Sequence, residues 1–186
     1  GEPNLELLKP ILSKLNEINP DYIVAVGGGA AIDSSKILWL MYEIPNADLE
    51  FFQRPYSLPP LRIKAKFIAV PTTAGSGSEV SSTAVFAYDN QNIKHFIVSH
   101  ELIPDIAILD PQFVLELPRE VLINSSMDAL SHALEGYISI MDNLLMDMYA
   151  ETVARTIFSD LPILFKNWQE KNNDSEDIKM LLSRIM

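Results

Sequence analysis

Apolar residues recur at Leu5, Leu8, Ile11, Leu12, Leu15 and Ile18, a spacing that predicts one face of an amphipathic helix. Pro10 lies inside that pattern, so a kink or a later helix start is expected. The texture then changes. Tyr22–Val26 (YIVAV) is wholly apolar and stops at three glycines, which is how a buried parallel strand reads. Residues 31–42 return to a helical, strongly apolar pattern. The stretch from Pro45 to Pro60 holds four prolines and reads as an irregular connection. Lys66–Val70 (KFIAV) predicts a second buried strand, ended by Pro71. Ala84–Tyr88 and Ile93–Val98, joined by residues 89–92 (DNQN), predict a hairpin, and Asp105–Leu109 predicts one more short strand.

After Asp110 only helical periodicity remains. Pro118 and residues 124–126 (NSS) are helix-start signals. Between 126 and 141 the apolar stripe is Met127, Leu130, Leu134, Ile138 and Met141. Pro162 is expected to kink or divide a long helix, and residues 171–177 read as a polar linker into a last amphipathic segment, 178–186. The pattern therefore predicts an α/β domain with a parallel sheet over residues 1–110. The start of an all-helical domain follows over 111–186.

Composition narrows the function. The 186 residues are 48% hydrophobic, enough for a packed core. A formal net charge of −11 argues against nucleic acid and against an anionic membrane surface, because nothing offsets phosphate charge. The absence of cysteine excludes disulfides and thiolate metal sites. No apolar run approaches the roughly 18–20 residues of a membrane span. No basic segment leads into an apolar one at the start, and the expected location is the cytoplasm.

Two glycine-rich turns each follow a predicted strand. The first, GGGAAIDSSK at 27–36, opens a helix. Glycine there permits close backbone approach, and the helix N-terminus favours an anion such as a phosphate. It is neither a G-x-G-x-x-G nor a Walker A sequence. The second, PTTAGSGSEVSSTAVF at 71–86, places Thr72, Thr73, Ser76 and Ser78 around Gly75 and Gly77. Hydroxyls and bare amides at the C-terminal end of a strand suit phosphate or ribose oxygens. Each turn also has a plain reading, as a tight strand–helix turn with nothing bound or as a solvated loop. Lys36 and Lys94 either meet a cofactor oxygen or are surface charges.

In MDALSHALEGY at 127–137, Asp128, His132, Glu135 and Ser139 follow 4-3-4 spacing on one helix face. Asp128 and His132 could hold one cation together, and a carboxylate with an imidazole suits Fe²⁺, Zn²⁺ or Mn²⁺ better than Ca²⁺. Alternatively Asp128 complements the helix N-terminus and His132 pairs with it. His95 and His100 fall on opposite faces of a strand-like stretch and are poor candidates to complete a site.

These residues resemble the iron-containing (group III) alcohol dehydrogenase family. Its motifs GGGS-x-x-D-x-x-K, PTTAGTGSE, a strand ending in DP, and GMDALTHAIEGY meet GGGAAIDSSK, PTTAGSGSEV, IAILDP and SMDALSHALEGY here, in the same order. The match runs from about Pro3 to Met186. The resemblance implies a dehydroquinate-synthase-like fold with the active site between an α/β domain and a helical one. It further implies hydride transfer between an alcohol and NAD or NADP, with Fe²⁺ or Zn²⁺ polarising the alcohol oxygen. By motif, Gly28, Gly29 and the Ala30 backbone would hold the pyrophosphate. Thr72, Thr73 and Ser76 would line the cofactor site, with Ser78 nearby and Asp33, Lys36 and Lys94 as polar partners in or beside that cleft. Asp128 and His132 match two metal ligands and carry the catalytic assignment. Ala30 stands where the family has serine, Ser76 where it has threonine and Ser126 where it has glycine. Family members are longer at both ends and draw two further metal-ligand histidines from beyond the region matched here. The chain thus looks like a central fragment with an incomplete metal site, expected to be inactive alone. The implied partners are a small alcohol or aldehyde, with a homodimer left open. Two other readings stand beside this one. One is a related polyol-phosphate dehydrogenase or dehydroquinate-synthase-type enzyme, and the other a non-catalytic nucleotide-binding remnant.

Overall fold

A computed structural model describes residues 5–87, 94–141, 143–170 and 175–186. Helix α1 (Leu5–Ile18) runs on through Pro10, so it does not start after that proline. Pro10 is the sixth residue of this helix and costs it one intrahelical hydrogen bond. Strand β1 (Tyr22–Gly27), helix α2 (Gly29–Glu43) and strand β2 (Lys66–Pro71) follow. Strands β3 (Thr83–Ala87) and β4 (Lys94–Val98) pair antiparallel, with Thr83 opposite Val98. That agrees with the predicted hairpin, although its connecting residues lie outside the described ones. Strand β5 is short, Ile106–Ala107.

The parallel sheet has the order β1–β2–β5. Its register pairs Tyr22 with Lys66 and Gly27 with Pro71, so β1 and β2 end level. The chain divides into two compact units. One comprises residues 1–71 and 78–108, and the other comprises residues 72–77 and 109–186.

In the first unit α2 contributes more to the core than any other element. Ile32, Ile37, Trp39 and Leu40 are fully buried. Trp39 stacks on Phe67 with ring centroids 5.2 Å apart and donates its indole N–H to the Ala65 carbonyl at 3.0 Å, satisfying its polar edge. The sequence suggested that β1 is buried on both faces. Instead Ala25 is buried while Tyr22, Val24 and Val26, on the opposite face, are exposed, Val24 by 56%. An all-apolar strand shows what both faces tolerate, not what covers them.

The second unit is helical: α3 (Arg119–Tyr137), α4 (Leu144–Glu170) and α5 (Glu176–Ile185). Pro162 does not divide α4. Helix α3 starts at its Pro118 N-cap, with residues 124–126 well inside it. Its buried face is Leu122, Ser126, Leu130 and Ala133, whereas Met127, Leu134, Ile138 and Met141 of the predicted stripe are exposed. The reason is local: Ala74, in the turn after β2, joins the core that Val114, Leu122, Leu164, Trp168 and Leu182 form. The turn packs against α3 at Ser125, next to the small buried residue Ser126. Trp168 donates to the Leu117 carbonyl at 2.9 Å, and Arg184 pairs with Asp160 at 3.2 Å, tying α5 to α4. No described helix is long and apolar enough to cross a membrane.

Candidate functional site

The first glycine-rich turn sits where β1 meets α2. Gly28 is the N-cap, in an extended conformation and without a side-chain cap. Its carbonyl accepts from the N–H groups of Ala31 and Ile32 at 2.9 and 3.1 Å. The amides of Gly29 and Ala30 precede those bonds and lie outside the helix's own ladder. No acidic side chain occupies the first turn, so the positive end of the helix dipole is not neutralised locally. A Cβ on Gly27 would come within 2.6 Å of the Ala31 Cβ, so this corner is open because it is bare. The arrangement can receive an anion on backbone amides.

The second turn leaves β2 at Pro71, the register partner of Gly27. Thr72, Thr73 and Ser76 are half-buried and Ser78 is buried. The turn has a second task that the sequence did not disclose. Ala74 is 1% exposed within the helical unit's core, and a Cβ on Gly75 would be driven into the Ser125 carbonyl of α3. Part of this motif is therefore spent on packing.

Asp33 and Lys36 point into the first unit. Asp33 Oδ2 accepts the Val85 N–H of β3 at 3.0 Å. Lys36 is 0% exposed, and its Nζ donates to the Ser81 carbonyl at 2.8 Å, the Ser81 hydroxyl at 3.1 Å and the Thr83 carbonyl at 2.9 Å. Burial lowers its pKa to about 8 despite the opposing pull of Asp33 and Glu79. Glu79 is itself buried, which raises its pKa, while its own backbone N–H and Lys36 act the other way. Sequence reasoning missed Glu79; its signal was position, one residue beyond the serine that ends the glycine turn. Lys94 is an exposed residue at the start of β4, opposite Ala87.

On α3, Asp128 Oδ1 and His132 Nε2 lie 3.8 Å apart, each side chain 52% exposed. The i,i+4 spacing brings them together as expected. Among the described residues no group of three or more His, Cys, Asp or Glu side chains could hold a metal. The pair can contribute two ligands to a cation and leaves the remaining positions to other donors.

Known proteins resemble this chain over most of its length. A family profile described as iron-containing alcohol dehydrogenase matches residues 1–111. One described as the C-terminal part of the Fe-containing alcohol dehydrogenase family matches residues 122–185. The chain is 35% identical over 168 residues to aldehyde-alcohol dehydrogenase 2 of Entamoeba histolytica, covering 86% of this chain and 19% of that protein. It is 31% identical to an NADPH-dependent butanol dehydrogenase of Clostridium saccharobutylicum, covering 90% of this chain and 42% of the relative. A sulfoacetaldehyde reductase from Bifidobacterium kashiwanohense, solved in complex with NAD⁺, superposes with a TM-score of 0.84 at 28% identity. That match covers 99% of this chain and 48% of the reductase. The chain thus spans less than half the length of these relatives.

Proposed function

The chain belongs to the iron-containing alcohol dehydrogenase family. On that premise we propose that it carries the dinucleotide turns and two metal ligands of an enzyme that transfers hydride between an alcohol and NAD or NADP, with the aldehyde as the oxidised product. The observation that carries this reading is the start of α2. Strand β1 delivers uncapped amides at Gly28, Gly29 and Ala30 to the end of a parallel sheet, level with the second turn's departure from β2. Those amides fit a pyrophosphate, and the Thr72, Thr73 and Ser76 hydroxyls fit ribose or phosphate oxygens. In this reading Ser78, which is buried, lies beside the cofactor and Lys94 offers a cation. The relatives include one NADPH-dependent enzyme and one solved with NAD⁺, which supports a nicotinamide dinucleotide as the cofactor class.

Asp128 and His132 fit a first-row divalent cation, Fe²⁺ or Zn²⁺, by donor type. Bound together, the cation would supply Lewis-acid stabilisation of negative charge on an alcohol oxygen, and the nicotinamide would supply the hydride-accepting ring. The chain's own contributions are distinct. His132 and Asp128 anchor one edge of the cation, and the glycine turns orient the dinucleotide. With two ligands among the described residues, this chain alone should hold the cation weakly and turn over slowly. A small alcohol–aldehyde pair is the proposed substrate class.

The test separates the two sites. NADH and NADPH are titrated by nicotinamide fluorescence, and Zn²⁺ or anaerobic Fe²⁺ by calorimetry. His132→Ala should weaken cation binding by about tenfold or more and leave dinucleotide affinity unchanged. Equal loss of both would assign His132 a structural role and remove the metal reading. A wild-type chain that binds neither dinucleotide would remove the cofactor reading.

A further inference from the structure

A lysine with no solvent exposure is costly unless something is gained from its charge. Lys36 is such a residue, and neither phosphate binding nor metal binding uses it. Its three acceptors all lie on Ser81 and Thr83, the residues that lead from the second glycine-rich turn into β3. The Ser81 hydroxyl also donates to the Thr83 carbonyl at 3.2 Å, so the acceptors form one connected group. One helical turn earlier on the same helix, Asp33 takes the Val85 N–H at 3.0 Å. Two side chains of α2 thus hold residues 81–85 at three backbone points and at the Ser81 hydroxyl. The opposite flank of the turn is held separately, by the pairing of Pro71 with Gly27.

We propose that Lys36, with Asp33, is a positioning residue that fastens the exit of the second glycine-rich turn to α2, and that dinucleotide binding depends on this clamp. The proposal rests on the cofactor reading given above. A turn rich in glycine and serine has little stiffness of its own, because glycine loses more conformational freedom on ordering than other residues. Fixing both flanks to one helix-and-strand frame reduces the entropy that a ligand must otherwise overcome.

The clamp has a pH signature with a definite sign. Lys36 titrates near pH 8 when held and near 10.5 when released. Release therefore takes up a proton between those values, and raising the pH favours the held state. A neutral amine keeps two N–H donors for the same acceptors. The groups facing it are Asp33 from α2 and Glu79 ahead of β3. Strand β3 carries no titratable side chain, Tyr22 of β1 and Lys66 of β2 are exposed, and on α1 so are Lys9, Lys14 and Glu17.

Hydrogen exchange of residues 79–85, corrected for intrinsic base catalysis, reads the clamp without any ligand. In the wild-type chain, protection should rise on the order of tenfold between pH 7.5 and 9.5. Lys36→Met should lose that rise and exchange faster in this segment at pH 7.5, with α1 unchanged. The same variant should bind NADH or NADPH at least about tenfold more weakly. A wild-type profile flat from pH 7.5 to 9.5, or Lys36→Met with wild-type protection, overturns the clamp. Lost protection with unchanged dinucleotide affinity overturns the positioning role. If Lys36→Met does not fold, the wild-type profile decides. If the wild-type chain binds no dinucleotide, the cofactor reading fails and exchange alone decides whether the clamp exists.

Discussion

Ser126 occupies the buried face of α3 with 0% exposure, and its hydroxyl has no hydrogen-bond partner among the described residues. A buried donor left unmade costs about 1–3 kcal/mol. Ser126→Ala removes that cost and adds helix propensity, so the urea midpoint should rise by the equivalent of about 1 kcal/mol with an unchanged slope. A midpoint that falls would mean that the hydroxyl is satisfied. The two glycines of the second turn should differ in how much their substitution costs. Gly75 packs on the Ser125 backbone, where a methyl group has no room. Gly75→Ala should cost roughly 3 kcal/mol or more, as overpacking against rigid backbone does. Gly77 has φ +64° and nothing within 4 Å of an added Cβ. Gly77→Ala should cost only the left-handed backbone penalty, about 1–2 kcal/mol. Equal costs in the same denaturation assay would show that the turn does not rest on α3 as described.

Elements in this chain are held by side chains reaching to the backbone of their neighbours. Glu43, in the last turn of α2, accepts the N–H groups of Ile63, Lys64 and Ala65 at 3.0, 3.0 and 2.8 Å, fixing the entry to β2. Glu43→Gln turns one acceptor into a donor aimed at donors. It should lower stability by about 2–3 kcal/mol at neutral pH, measured by thermal or urea unfolding. A loss under 0.5 kcal/mol would show that these amides find water instead. Strands β1 and β2 were legible in the sequence because short apolar runs ending at glycine or proline have few other readings. The pairing of Asp128 with His132 was legible because i,i+4 spacing fixes it once a helix forms. The buried face of α3 was not. Periodicity weighs large apolar residues, and here Ser126 and Ala133 are buried while Met127 and Leu134 are not, with a backbone turn packed against α3 at Ser125. The resemblance places Asp33 and Lys36 in or beside the cofactor cleft, and the residues alone leave Lys36 open between a cofactor oxygen and a surface charge. Their contacts to the start of β3 were not legible, because that partner lies more than forty residues away and no local pattern encodes it.

At the scale of the whole molecule, apolar surface and net charge oppose each other. In the first unit Tyr22, Val24 and Val26 present an exposed apolar strand face. In the second, Leu134, Tyr137 and Phe158 line a groove of about 280 Å³ between α3 and α4, with Ile138, Leu144 and Tyr149 exposed as well. Contiguous apolar patches of this kind drive association. The net charge of −11 resists it, but only across the screening length. That length falls from about 30 Å at 0.01 M salt to about 3 Å at 1 M. The isolated chain should therefore be monomeric in dilute buffer and associate as sodium chloride is raised, with mass followed by static light scattering. Dye binding to apolar surface should be strong at low salt and fall as those faces cover one another. Val24→Thr and Leu134→Ser leave the charge unchanged and reduce the apolar area, so each should move the onset of association to higher salt. Association that is strongest at low salt, or an onset that neither substitution moves, would show that charge pairing rather than apolar burial brings the chains together.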